Sequence, residues 1–153
     1  MSLDSTLLID VRAKTTEVQL HLVNTGLFTP LDDVNGLKRA ATDGCIVTIF
    51  PDAGMYDGPN EASIHVNKRL SFACSESGRS KEWTLATIRA VISLLGGVPG
   101  DALLLYSGDC PALLRKSGKL VLDKRCGVWH PDTDPSVLPL VTLRYAWGEI
   151  PVS

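Results

Sequence analysis

No run of apolar residues in this chain approaches the roughly 20 needed to cross a bilayer as a helix. The longest such stretch, near Val91 to Leu95, stops at Gly96-Gly97. Asp4 and Asp10 interrupt the N-terminal residues before an apolar core of signal-peptide length can build up, so the expected location is cytoplasmic, with no membrane partner. Charge of one sign is also missing. Fifteen Lys plus Arg against seventeen Asp plus Glu leave a net charge of −2, too weak a field to gather phosphate backbones, and nucleic acid is not expected as a partner. Aromatic residues make up only 6% of the chain, and the three tryptophans, Trp83, Trp129 and Trp147, fall in separate units. The four cysteines, Cys45, Cys74, Cys110 and Cys126, contain no CxxC pair, so they read as separate buried thiols, neither a disulfide frame nor a zinc site.

What is present is ordinary globular material. A length of 153 residues, 44% hydrophobic, suits a single domain over residues 1–153 with a real core. Ser5 to Arg12, centred on Leu7-Leu8-Ile9, reads as a strand. Glu17 to Asn24 reads as a short helix capped by Thr15 or Thr16 and stopped by Gly26, although Val18, Leu20 and Leu22 also alternate as in a strand. Cys45 to Phe50 is β-branched and bounded by Asp43-Gly44 and Pro51, which predicts a buried strand. Pro51 to Asn60 is dense in turn formers and predicts a surface loop. Ala62 to Cys74 follows as a strand with a bulge, hairpinned to Cys45–Phe50.

The strongest periodic signal lies over Lys81 to Leu95, where Leu85, Ile88, Val91, Ile92 and Leu95 share one helical face. Ser80 is the expected cap, Glu82 suits the first turn, and Gly96-Gly97 with Pro99 would end the helix. Asp101 to Tyr106, Ala112 to Lys116 and Lys119 to Asp123, joined by Ser107-Gly108-Asp109 and Ser117-Gly118, predict an antiparallel meander. Val141 to Trp147 predicts a last strand. The sum is an α+β fold, a mainly antiparallel sheet with one principal amphipathic helix at about 81–95.

No complete catalytic or metal constellation emerges. His21, His65 and His130 are far apart in sequence, and no G-x-S-x-G elbow occurs. Cys126 and His130 would share a helical face, but Gly127 and Pro131 predict a loop there. Asp132-Thr-Asp134 lacks the Gly and distal Glu of a calcium loop and reads as a solvated turn. No cofactor and no metal are therefore expected. Asp52, Asp57 and Glu61 concentrate negative charge in one loop, a docking surface for a basic partner. Trp129, set among turn residues, is the candidate for an exposed interface tryptophan.

The order Pro99-Gly-Asp-Ala-Leu-Leu-Leu-Tyr-Ser-Gly-Asp109, then Leu113-Leu-Arg-Lys-Ser-Gly-Lys-Leu-Val-Leu122, then Gly127-Val-Trp129, resembles a family of small bacterial immunity proteins. These belong to systems in which kin cells exchange swarming-inhibiting toxins. The Ser63-Ile-His-Val-Asn-Lys68 strand fits the same pattern, so the resemblance runs from Ala62 to Trp129. It implies a cytoplasmic inhibitor that binds a cognate toxin, with no catalytic residues to carry over; the expected function is a protein-binding domain without enzymatic activity. A small hydrolase using Cys126 or Cys110 with His130 or a loop carboxylate, and a structural subunit of a larger assembly, are the competing expectations.

Overall fold

The computed structural model describes residues 3–42, 44–51, 54–55, 64–74, 80–108 and 110–151. In chain order the elements are β1 (Leu3–Asp10), α1 (Thr15–Asn24), β2 (Thr29–Val34), β3 (Leu37–Thr42), β4 (Cys45–Phe50), β5 (Gly54–Met55) and β6 (His65–Val66). They continue with β7 (Lys68–Cys74), α2 (Ser80–Gly97), β8 (Asp101–Tyr106), β9 (Cys110–Lys116), β10 (Lys119–Asp123) and β11 (Ala146–Gly148). Nine strands form one sheet in the order β11-β10-β9-β8-β1-β7-β4-β3-β2, and β5 pairs with β6 alone. Among the described residues every pairing is antiparallel except β10 with β11. The α+β class and the meander β8-β9-β10 are as the sequence predicts.

Strand alternation sorts the side chains onto two faces. Leu7 and Ile9 of β1, Leu70 and Phe72 of β7, Val47 and Ile49 of β4 and Leu104, Leu113 and Leu122 of the meander form one cluster with Val18, Leu22, Ile88 and Val91 of the two helices. Both helices therefore cover the same face. On the opposite face Leu8, Leu103 and Leu114 pack with Ile64, Val66 and Ile150 in a smaller cluster.

Among the described residues two helices cover the sheet, the short one as well as the principal one. The ambiguity over Val18, Leu20 and Leu22 resolves to α1, because burial follows the helical period: Val18 and Leu22 are buried while Leu20 is 56% exposed. The cap is Lys14, whose backbone N–H donates to Glu17 Oε1 at 3.3 Å, in place of Thr15 or Thr16. α2 begins at Ser80, one residue before the predicted Lys81, so the expected cap is the first helical residue, and its side chain lies outside the described residues. Its end differs: the helix continues through Gly96-Gly97 and Val98 N–H still bonds Leu94 C=O at 2.8 Å. Arg115 on β9 supplies the reason, donating to the carbonyls of Leu95, Val98 and Gly100 at 2.6 Å each. A guanidinium that satisfies the terminal carbonyls removes the need for a glycine stop.

The predicted bulge in Ala62–Cys74 is a break at Asn67, which separates β6 from β7. Asn67 accepts the Val11 N–H on Oδ1 at 3.1 Å and donates from Nδ2 to the Val11 carbonyl at 2.7 Å, while its own N–H bonds Ile9 C=O. The expected last strand shrinks to Ala146–Gly148 and runs parallel to β10. Val141, Leu143 and Tyr145 alternate because an irregular segment lays them against the helix-side core, without a ladder. The hairpin β2-β3, over residues that carry no sequence prediction, turns at Asn35 and Gly36 with φ of 52° and 77°. Most of the predicted Pro51–Asn60 loop lies outside the described residues.

Candidate functional site

The sheet ends its β8-β9 turn beside the start of α2, and the chain after β10 folds back over that corner. Between them lies a cavity of about 540 Å³. Thr84 comes from α2, Tyr106 and Ser107 from the end of β8 and Cys110 from the start of β9. The returning segment contributes Cys126, Gly127, Val128, Thr133, Asp134, Pro135 and Val137. Thr84 Oγ1 and Tyr106 OH lie 2.7 Å apart. Burial raises the Tyr106 phenol above its ordinary pKa, with the Thr84 hydrogen bond opposing it. Burial pushes the Cys126 thiol up to about 12, so it is protonated at neutral pH and is a poor nucleophile there.

The cysteines are free thiols, but they are not separate. Cys110 Sγ lies 3.3 Å from Cys126 Sγ, and Cys45 Sγ lies 2.9 Å from Cys74 Sγ. Cys45 and Cys74 face each other across β4 and β7. The hydrogen bond with Cys74, together with burial, raises the Cys45 pKa. Sequence spacing does not reveal these pairs, because the partners meet only through sheet pairing and the return of the chain after β10.

The Cys126–His130 pairing considered from sequence does not assemble. Cys126 meets Cys110, whereas His130 Nδ1 accepts the Asp132 N–H at 3.2 Å and lies 3.6 Å from Asp132 Oδ2. His65 sits beside Asp10 at 3.5 Å, and the His21 ring abuts Gly97 of α2. Asp10, Glu17 and His21 line a second cleft of about 600 Å³ at the C-terminal end of α2. Among the described residues no three His, Cys, Asp or Glu side chains gather as a metal site, and no helix is long and apolar enough to cross a membrane.

Of the site residues expected from sequence, Asp52, Asp57 and Glu61 lie outside the described residues. Trp129 is not exposed: it is 2% accessible, and its Nε1–H donates to the Ala112 carbonyl at 2.8 Å. The short 3₁₀ turn Gly127–Trp129 folds the indole inward, where it ties the returning segment to β9. Among the described residues the large exposed aromatic is Trp147 on edge strand β11, 48% accessible and set edge-on to Tyr145 at 5.6 Å between ring centroids. The Asp132-Thr-Asp134 turn divides likewise. Asp132 is exposed, while Asp134 is buried in the cavity wall with Oδ1 accepting the Ser136 N–H at 2.9 Å. Polar alternation over so few residues cannot distinguish these two fates.

No curated protein and no solved structure matches the chain. A family model described as SitI3-like matches residues 5–133, from β1 through the returning segment, and so takes in the N-terminal half as well as the meander. The chain belongs to the SitI3-like family.

Proposed function

We propose that this chain is an immunity protein that binds a cognate toxin of a swarming-inhibition system and neutralises it by occupancy, without chemistry of its own. The observation that carries the reading is the family match over residues 5–133, since SitI-type proteins are immunity proteins in such systems. Two features of the chain support it. The Cys126 thiol is held protonated beside a second thiol and not beside an imidazole, an arrangement unsuited to nucleophilic catalysis at neutral pH. Acidic residues Asp52, Asp57 and Glu61 concentrate in one sequence segment, which suits docking of a basic partner.

The test is co-expression with a toxin encoded beside its gene. The expected result is restored growth and a stable complex on size-exclusion chromatography. Replacing Asp52, Asp57 and Glu61 together with the neutral amides should slow association and make the remaining binding less dependent on salt. Absence of both protection and complex formation with a folded, well-expressed protein would refute the reading.

A further inference from the structure

We propose that Cys110 and Cys126 form a modification site: thiol–disulfide exchange with a small-molecule disulfide converts this dithiol into a cross-link between β9 and the returning segment after β10. The sulfurs already lie 3.3 Å apart. Their approach does not depend on the thiols themselves. Trp129, three residues beyond Cys126, anchors its indole on Ala112, two residues beyond Cys110, and so brings the two backbones together. Access is present too. Cys110 is half-exposed, and both sulfur-bearing residues line the 540 Å³ cavity.

The second pair provides an internal contrast. Cys45 and Cys74 sit at 2.9 Å across β4 and β7, but they are only 1% and 4% accessible, and the cavity that Cys74 lines holds about 20 Å³. Both pairs have the proximity for a disulfide, and only Cys110–Cys126 has the opening through which a reagent enters.

The exchange balances in two displacements. Cys110, as the thiolate, attacks one sulfur of the small disulfide, forms a mixed disulfide and expels the first small thiolate. Cys126 then loses its proton to solvent and attacks Cys110 Sγ, expelling the second. Two protein thiols are oxidised to one S–S bond, and the small disulfide is reduced to two thiols. Burial keeps the Cys126 thiol pKa raised, so the second displacement should accelerate with pH across the neutral range.

The experiment exposes the full native chain to excess hydroxyethyl disulfide at pH 8, quenches with acid, and maps the peptides by mass spectrometry without reduction. A linked Cys110–Cys126 peptide is expected, with a thermal midpoint several degrees higher because the cross-link closes a short loop. Cys126→Ser should stop at the mixed disulfide on Cys110, and Cys110→Ser should leave Cys126 unmodified. The decisive reading is on the wild-type chain and needs neither variant to fold. Failure of the Cys110–Cys126 link to form, or its formation only after denaturant is added, overturns the assignment.

Discussion

Replacing Arg115 with Ala tests how the C-terminal end of α2 is held. The guanidinium makes three hydrogen bonds of 2.6 Å, from Nε to Gly100, from Nη1 to Leu95 and from Nη2 to Val98. Burial pulls its pKa down from the ordinary arginine value, with Asp101 opposing, and the group stays charged throughout the working range. A hydrogen bond to a charged group contributes about 1.5–3 kcal/mol, so three would sum to roughly 4.5–9 kcal/mol if fully shielded. Arg115 is only half-buried, and water replaces part of what is lost, which brings the expected cost to about 3 kcal/mol. With a urea m-value near 2 kcal/mol/M, the unfolding midpoint should fall by about 1.5 M at unchanged slope. Arg115→Lys, whose ammonium cannot span three diverging carbonyls, should lose about half as much. Equilibrium urea unfolding followed by circular dichroism makes the measurement. A midpoint for Arg115→Ala within about 0.3 M of wild type would refute the view that Arg115 carries the helix through Gly96-Gly97.

Gly97→Ala should destabilise by about 1–2 kcal/mol despite the higher helix propensity of alanine, because the added Cβ would lie 2.6 Å from the His21 ring. In a His21→Ala background the same change should turn stabilising by about 0.5–1 kcal/mol, a sign reversal that a double-mutant cycle detects. Asp123 is buried and accepts hydrogen bonds from Arg125 and from the Ile150 N–H. Burial alone would raise its pKa, but these bonds outweigh it and leave the folded value below the unfolded one. Its stabilisation is therefore fully present above about pH 4 and lost as pH falls through the folded pKa, so Asp123→Asn should flatten the acid limb of a stability–pH curve. Trp129→Phe, which orphans the Ala112 carbonyl, should cost about 1.5–3 kcal/mol in thermal or urea unfolding, whereas Trp147→Ala, half-exposed and losing its edge-on contact with Tyr145, should cost about 0.5–1.5 kcal/mol.

Trp129 and Trp147 show where sequence reasoning about the surface stops. Trp129 stands among turn residues and Trp147 ends an alternating run read as a strand, and neither pattern tells which indole is buried. Their fates separate because a 3₁₀ turn at Gly127–Trp129 rotates one indole onto β9, while the other sits on the outermost, parallel-paired strand of the sheet. The β2-β3 hairpin is hidden in the sequence for a different reason. Asn35-Gly36 is a strong hairpin-turn signal, but β2 is an edge strand with mostly exposed side chains, so its hydrophobic period is silent.

By itself the sequence determined the elements whose evidence is local. The periodic stripe from Leu85 to Leu95 specified α2, the β-branched run specified β4, and apolar runs separated by glycine turns specified the β8-β9-β10 meander. The order of motifs along that meander also carried the resemblance that the family match extends to residues 5–133. Tertiary structure decided everything that joins distant positions: Arg115 prolonging α2 past two glycines, Asn67 clamping Val11, and Cys110 meeting Cys126 at the edge of a cavity. Periodicity reports which face of an element is apolar, because the helix and strand repeats are short. It does not report what that face meets, because sheet order and the return path of the chain depend on the packing of the whole core.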